Sequence, residues 1–208
     1  MSKRGLLIVI SGPSGSGKGT VVRRLLDRYT DTVLSVSATT RQPRPGEEEG
    51  VHYFFKTRQA FEEMIARDAF FEYAEYNGNY YGTPQEPVDT WLAAGRHVIL
   101  EIDVQGAQKV MAQRPDVVSL FIVPPSIPEL ERRLRERGTE TEECIRERLH
   151  AARWELSRLS SYTYAVVNDE VEQALRRVRT IIEAEQMRVG RIEQELQEVL
   201  SYAETDRH

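Results

Sequence analysis

The sequence predicts an α/β fold: a parallel sheet covered by helices on both faces, carrying an inserted subdomain. Three observations predict it. Apolar runs of strand length alternate with helix-length segments along most of the chain, and strands buried on both faces read as continuous apolar runs. The first run, Leu6-Leu-Ile-Val-Ile10, leads into Gly12-Pro-Ser-Gly-Ser-Gly-Lys-Gly-Thr20, and a helical pattern follows through Val21, Val22, Leu25 and Leu26. Between residues 38 and 84, short strand-like runs and turn residues interrupt the alternation.

The glycine-rich stretch comes first and carries chemistry. Gly12, Pro13, Ser14, Gly15, Ser16, Gly17 and Lys18 fit the P-loop template up to its last position. A strand, a glycine-rich turn and a helix start make a nest of backbone N–H groups, and the positive end of the helix dipole adds to it. Lys18 can reach the β- and γ-phosphates of a nucleotide. The template then wants Ser or Thr for Mg²⁺, but Gly19 intervenes before Thr20. A polyphosphate site follows from these residues, a metal ligand does not. Alone they are compatible with either phosphoryl transfer or hydrolysis.

The remaining elements follow in order. The first helix should end near Tyr29-Thr-Asp31, and Val33-Leu-Ser-Val-Ser37 reads as a short strand. Residues 38–50 hold two prolines and two glycines and read as a loop. Val51-His-Tyr-Phe-Phe55 returns to strand composition, Phe61, Met64 and Ile65 have helical spacing, and 70–76 is a strand. Asn77-Gly78 is a strong hairpin turn before Asn79-Tyr-Tyr81. A helix over 87–94 ends at Gly95, a strand covers 97–102, a helix reaches about 112 and a strand covers 117–123. A charged helix spans 127–137. Thr139 and Glu142 have capping-box spacing for another that passes Trp154. Residues 164–167 are the last strand, Asn168-Asp169 caps a final helix from about 170, and Gly190 is a break point before Tyr202.

Composition narrows the classes. The 208 residues carry a formal net charge of −5, so the molecule as a whole is no trap for nucleic acid. Cys144 is the one cysteine, no Cys/His spacing resembles a zinc site, and no apolar run approaches membrane-spanning length. The basic start before Leu6 has a signal-peptide look, but the apolar run is too short. A cytoplasmic location is expected, with no membrane or nucleic-acid partner.

Positive charge is concentrated in two places. Arg41 and Arg44, with Pro43 and Pro45 restricting the backbone, form one cluster; their guanidinium forks suit a phosphate. Glu47, Tyr53 and Tyr81 are candidates to complete a polar pocket, and a solvated loop is the alternative. The second cluster is Glu131-Arg-Arg-Leu-Arg-Glu-Arg137, continued by Arg146 and Arg148. Such a run is either a solvated face with i,i+4 pairs or a source of charge neutralisation for phosphoryl transfer.

Together these residues resemble a known family. Ser35-Val-Ser-Ala-Thr-Thr-Arg-Gln-Pro-Arg-Pro-Gly-Glu47 and Gly50-Val-His-Tyr-Phe54 look like the signature of guanylate kinases. Gly78-Asn-Tyr-Tyr-Gly82, Leu100-Glu-Ile-Asp-Val-Gln-Gly106 and Arg137-Gly-Thr-Glu-Thr-Glu142 extend the match to residues 6–183. The resemblance implies an enzyme of purine nucleotide metabolism that moves the γ-phosphate of ATP to GMP, and to dGMP, using Mg²⁺. It implies a P-loop kinase core (1–37, 85–123 and 155–208), a GMP-binding insertion (38–84) and a helical lid (124–154).

The resemblance also assigns residues. Arg41, Arg44, Tyr53 and Tyr81 correspond to the grip on the GMP phosphate, with Glu47 in the same pocket. Glu72 and Asp103 match the carboxylates that read guanine, with Ser37 and Thr83 as nearby hydroxyls. Lys18 bridges the ATP phosphates, and Arg133, Arg137 and Arg148 look like lid arginines closing on the transferred group. Asn168 lies where the family contacts adenine. Glu101 is placed on the GMP side, and Glu101, Asp103 or Thr20 are candidates to order metal-bound water. Scaffold modules with guanylate-kinase-like pockets are a rival, but here Gly17, Lys18 and the lid arginines are present. Another nucleoside monophosphate kinase is a second rival, and Glu72 with Asp103 argues for guanine. Asn168-Asp-Glu170 is not the Asn-Lys-x-Asp pattern of a GTPase. Ile192, Leu196, Val199 and Leu200 make an apolar stripe near the C-terminus, either core packing or a contact between copies.

Overall fold

A computed structural model describes residues 4–136, 141–193, 196, 197 and 201. The chain runs through β1 (Leu7–Ser11), α1 (Lys18–Arg28), β2 (Thr32–Leu34), β3 (Ala38–Thr39), β4 (Phe54–Phe55) and α2 (Arg58–Ala66). It continues through β5 (Phe70–Tyr76), β6 (Asn79–Pro84), α3 (Gln85–Ala93), β7 (His97–Glu101), α4 (Val104–Gln113) and β8 (Val118–Val123). The last elements are α5 (Ile127–Glu136), α6 (Glu142–Leu156), β9 (Tyr164–Val167), α7 (Val171–Gln186) and α8 (Val189–Ile192).

The main sheet is parallel, in the order β2-β7-β1-β8-β9. Alternation along β1 explains the layering. Leu6, Ile8 and Ile10 pack with Val21, Leu25, Leu175, Val178 and Ile182 of α1 and α7. Leu7 and Val9 face the other way, onto Val88 and Leu92 of α3 and Val104, Ala107 and Val110 of α4. Successive residues of a strand point to opposite faces, so an unbroken apolar run is what a doubly covered strand needs.

The second sheet, β4-β3-β6-β5, lies wholly between residues 38 and 84. Its small core stacks Phe61 on Phe70 at 4.4 Å and on Tyr80 at 5.2 Å between ring centroids. Asn77 and Gly78 both have positive φ, 48° and 74°, as a two-residue hairpin turn requires. The pairing of β5 with β6 shifts register between Phe70 and Glu72. Phe70 enters the small core while its neighbour Phe71, on the opposite face, enters the core of the main sheet. The bulge sets Glu72 opposite Thr83.

Several boundaries differ from the sequence reading. The strand expected over 33–37 stops at Leu34, and Ala38-Thr39, expected in a loop, pairs with Tyr81 and Gly82 on one side and Phe54 and Phe55 on the other. Only Phe54–Phe55 of 51–55 is strand. The helix after the lid turn is capped by Thr141, whose hydroxyl accepts from the Cys144 N–H at 3.3 Å; Thr139 lies outside the described residues. The last long helix is capped at Glu170 and ends at Met187, before Gly190. Ile192 and Leu196 are half-buried, and Val199 and Leu200 lie outside the described residues.

His97 opens β7 and is 2% exposed. Its Nδ1 accepts the Leu6 N–H at 3.0 Å, and its Nε2 lies 3.0 Å from Gln186 Nε2. Burial lowers its pKa below 6.5, partly offset by Asp31. A lowered folded pKa gives stability that is complete above pH 6.5 and is lost as pH falls through the folded value. Urea midpoints should therefore begin to drop just below pH 6.5, and His97→Gln should flatten that limb while the carboxylate limb at lower pH stays. An unchanged limb would rule out His97 as its source.

Candidate active site

The C-terminal ends of β1 and β7 open onto a cavity of about 330 Å³ lined by Ser14, Gly15, Gly17, Lys18, Gly19, Thr20, Arg23 and Glu101. Gly17 precedes α1 with φ 89°, a left-handed conformation that glycine adopts at no steric cost. Lys18 Nζ donates to the Gly12 and Pro13 carbonyls at 2.5 and 3.1 Å, so the ammonium lies folded across its own loop. A Cβ on Gly19 would sit 3.3 Å from Glu101 Oε1. A carboxylate thus borders the position where the P-loop template places a hydroxyl. The surrounding protein raises the Glu101 pKa, although Lys18 and Arg23 pull it down. Glu101, expected on the GMP side, lines this cavity instead.

Helices α5 and α6 meet through Leu130, Leu134, Ile145 and Ala152 and bring arginines to the loop. Arg148 Nη1 donates to Ser14 Oγ at 2.7 Å. Arg133 reaches the Ser16 carbonyl at 3.4 Å and the Asn168 carbonyl at 3.0 Å, with its Nε on Glu129 at 2.7 Å. Arg132 pairs with Glu129 and Glu136, and Arg135 with Glu131 and Glu142. The solvated-face reading with i,i+4 pairs describes these two, while Arg133 pairs with Glu129 and also reaches the phosphate loop. Arg137 lies outside the described residues. Asn168, expected at adenine, is 2% exposed, and its Nδ2 donates to the Ser16 carbonyl at 2.8 Å.

A second cavity, about 470 Å³, lies between the two sheets and is lined by Ser37, Tyr53, Glu72, Ala74, Glu75, Tyr76, Tyr81, Gly82, Ile102, Asp103 and Gln105. Glu72 Oε1 accepts from Thr83 Oγ1 at 2.7 Å. Asp103 caps α4 by accepting the Gly106 N–H at 2.7 Å. A Cβ on Gly106 would lie 3.3 Å from Glu72 Oε2 and 3.5 Å from Asp103 Oδ1, so the two carboxylates border the same spot on α4. Burial raises the Glu72 pKa above 4.5, and the charge of Asp103 raises it further. Two acceptors held together at such a cost are suited to a ligand that presents paired N–H donors.

Arg41 closes one end of this region. Its guanidinium makes a bidentate pair with Glu47, both bonds at 2.9 Å, and stands 5.3 Å from the Tyr53 ring centroid. Glu47 also accepts the Arg44 N–H at 2.7 Å, and these bonds hold its pKa down at about 2. Tyr53 meets Tyr81 edge-on with ring centroids 6.1 Å apart. Fork-to-carboxylate geometry is also fork-to-phosphate geometry. Sequence reasoning missed Arg23, Ile102, Tyr76 and Gln105 as lining residues. Arg23 had a signal, since it lies four residues beyond Gly19 on the same helix face. Gln105 had none.

The family profile described as guanylate kinase matches residues 4–185. This chain belongs to the guanylate kinase family. It is 51% identical over 197 residues to a guanylate kinase of Clostridium perfringens, covering 95% of this chain and 91% of the relative. It is 52% identical over 187 residues to one of Desulfitobacterium hafniense, covering 90% and 94%. The crystal structure of guanylate kinase from Anaplasma phagocytophilum superposes with a TM-score of 0.71 at 37% identity, covering 94% of this chain and 95% of that one. The main sheet carries the glycine-rich loop at the end of β1, and among the described residues no helix is long and apolar enough to cross a membrane.

Proposed function

We propose that this guanylate kinase transfers the γ-phosphoryl group of ATP to the phosphate of GMP, giving ADP and GDP, with the phosphate loop as donor site and the cavity between the sheets as acceptor site. One observation carries the assignment. The end of β7 supplies Glu101 to the first cavity and Ile102 and Asp103 to the second, so one backbone segment holds both sites next to each other. The core, insertion and lid then correspond to 1–37 with 85–123 and 155–208, to 38–84, and to 124–154.

In this reading Glu72 and Asp103 accept the N1–H and N2–H of guanine, with Ser37 and Thr83 beside them. Adenine offers no matching donor pair. Arg41, Arg44, Tyr53 and Tyr81 hold the GMP phosphate. Glu47 orients the Arg41 fork and does not touch the substrate, because an ionised carboxylate has no proton to offer a phosphate. Lys18 leaves the Gly12 and Pro13 carbonyls for the ATP phosphates, while Arg133, Arg137 and Arg148 gather charge around the transferred group. The attacking oxygen is already ionised, so no general base is required, and positioning with charge neutralisation supplies the catalysis. None of these roles uses the ribose 2′-hydroxyl, so the reading extends to dGMP. A cytoplasmic location goes with it.

Mg²⁺ is assigned a shared site. Among the described residues no group of three or more His, Cys, Asp or Glu side chains is placed to hold a metal ion. The oxygen donors at hand, Glu101 and the Thr20 hydroxyl, suit a hard cation that arrives on phosphates and keeps several waters. It would neutralise charge on the β- and γ-phosphates, and Glu101 would order its water.

A coupled assay of ADP formation tests the reading with GMP, dGMP, AMP and UMP, with Mg²⁺ present or chelated. GMP and dGMP should be used at least about 10²-fold better than AMP and UMP, and chelation should stop the reaction; faster use of AMP or UMP would overturn the acceptor assignment. Arg41→Ala should raise KM for GMP about 10- to 100-fold and leave KM for ATP in place. An equal rise for both substrates would count against Arg41 as a phosphate ligand of GMP.

A further inference from the structure

We infer that Asn168 is a positioning residue of the phosphate loop, acting through the Ser16 carbonyl; the inference rests on the donor assignment above. Asn168 stands just past β9, pinned by its own N–H to the Val123 carbonyl at 2.8 Å. Its side-chain amide is turned inward, Nδ2 donating to the Ser16 carbonyl at 2.8 Å. The reverse amide orientation would set two oxygens against each other. The Asn168 carbonyl accepts from Arg133 at 3.0 Å, and the same guanidinium reaches the Ser16 carbonyl at 3.4 Å. Two donors from two elements, β9's end and the lid helix α5, therefore converge on one carbonyl of the loop.

That carbonyl controls a neighbour. A peptide unit is planar and trans, so fixing the Ser16 C=O fixes the Gly17 N–H on the opposite side. Ser16 is fully buried, whereas Gly17 lines the phosphate-loop cavity. The clasp thus lies behind the loop and aims a backbone donor forward. Contact is close enough that a Cβ on Gly17 would lie 2.3 Å from Asn168 Nδ2. Oδ1 is enclosed too and, among the described residues, has no hydrogen-bond partner. Donors fixed before the ligand arrives spare the reorganisation that flexible ones would need.

Asn168→Leu removes the donor at similar size, and Asn168→Ala carries the test should the leucine variant not fold. KM is measured for ATP and for ITP, a donor with another base, and the inhibition constant is measured for inorganic tripolyphosphate, which has no base. All three should rise by the same factor, about tenfold, while KM for GMP stays constant. A loss confined to ATP, with tripolyphosphate inhibition unchanged, would assign Asn168 to the base and overturn the inference. No change with any ligand would overturn it equally. If wild-type protein formed no ADP with GMP, the activity reading alone would fail, and calorimetric binding of tripolyphosphate to both forms would still decide the role of Asn168.

Discussion

Lys18→Ala is expected to lower kcat for GMP phosphorylation by about 10²–10³-fold, the usual cost of removing one preorganised charge donor from a transition state. KM for GMP should change little. The ammonium already lies across the loop on the Gly12 and Pro13 carbonyls, so its movement onto phosphate is short, and neutral carbonyls are exchanged for anionic oxygens. Lys18→Arg should not rescue, because a planar fork does not replace a compact point charge inside a tight loop. Steady-state rates with each substrate varied at saturating levels of the other provide the check. A variant retaining near-normal turnover would remove the loop from the donor role.

Glu72→Gln is expected to lower kcat/KM for GMP by about 10- to 100-fold with KM for ATP unchanged, since the amide replaces one acceptor by a donor and faces the N–H groups of guanine. Stability should move the other way. Burial and Asp103 raise the folded pKa of Glu72 above 4.5, so its contribution is present below 4.5 and is lost as pH rises through the folded value. At neutral pH the ionised pair costs stability, and the glutamine variant should melt at or above the wild-type temperature. An unstable variant with unimpaired GMP use would reverse both halves of this expectation.

The parts of the chain that were legible are those governed by local physics. The phosphate loop was readable because the glycine spacing and the flanking strand and helix carry their own geometry. The Asn77-Gly78 hairpin was readable because its turn needs two positive φ values. Ala38-Thr39 was not, since it becomes strand only through Tyr81, Gly82, Phe54 and Phe55, which lie far along the chain. The run 131–137 gave the charge but not the helix face, and that face lets Arg133 reach the loop as well as Glu129, while Arg132 and Arg135 pair with glutamates alone. Glu101 and Asp103 looked interchangeable at one strand end. They part because β7 stops at Glu101 and Asp103 turns to cap α4. Asn168 could be placed near the donor from the sequence, but the inward turn of its amide depends on tertiary packing against Ser16.

The segment Glu101-Ile102-Asp103 has a mechanical consequence. Two residues of extended chain measure about 7 Å, and that length is covalent. On the proposed two-site reading, movement of the inserted sheet would carry Glu72 with it, whereas the interval from Glu101 to Asp103 would stay as it is. The segment works as a ruler. Substitutions on the inserted sheet would then alter base preference while leaving that core interval unchanged.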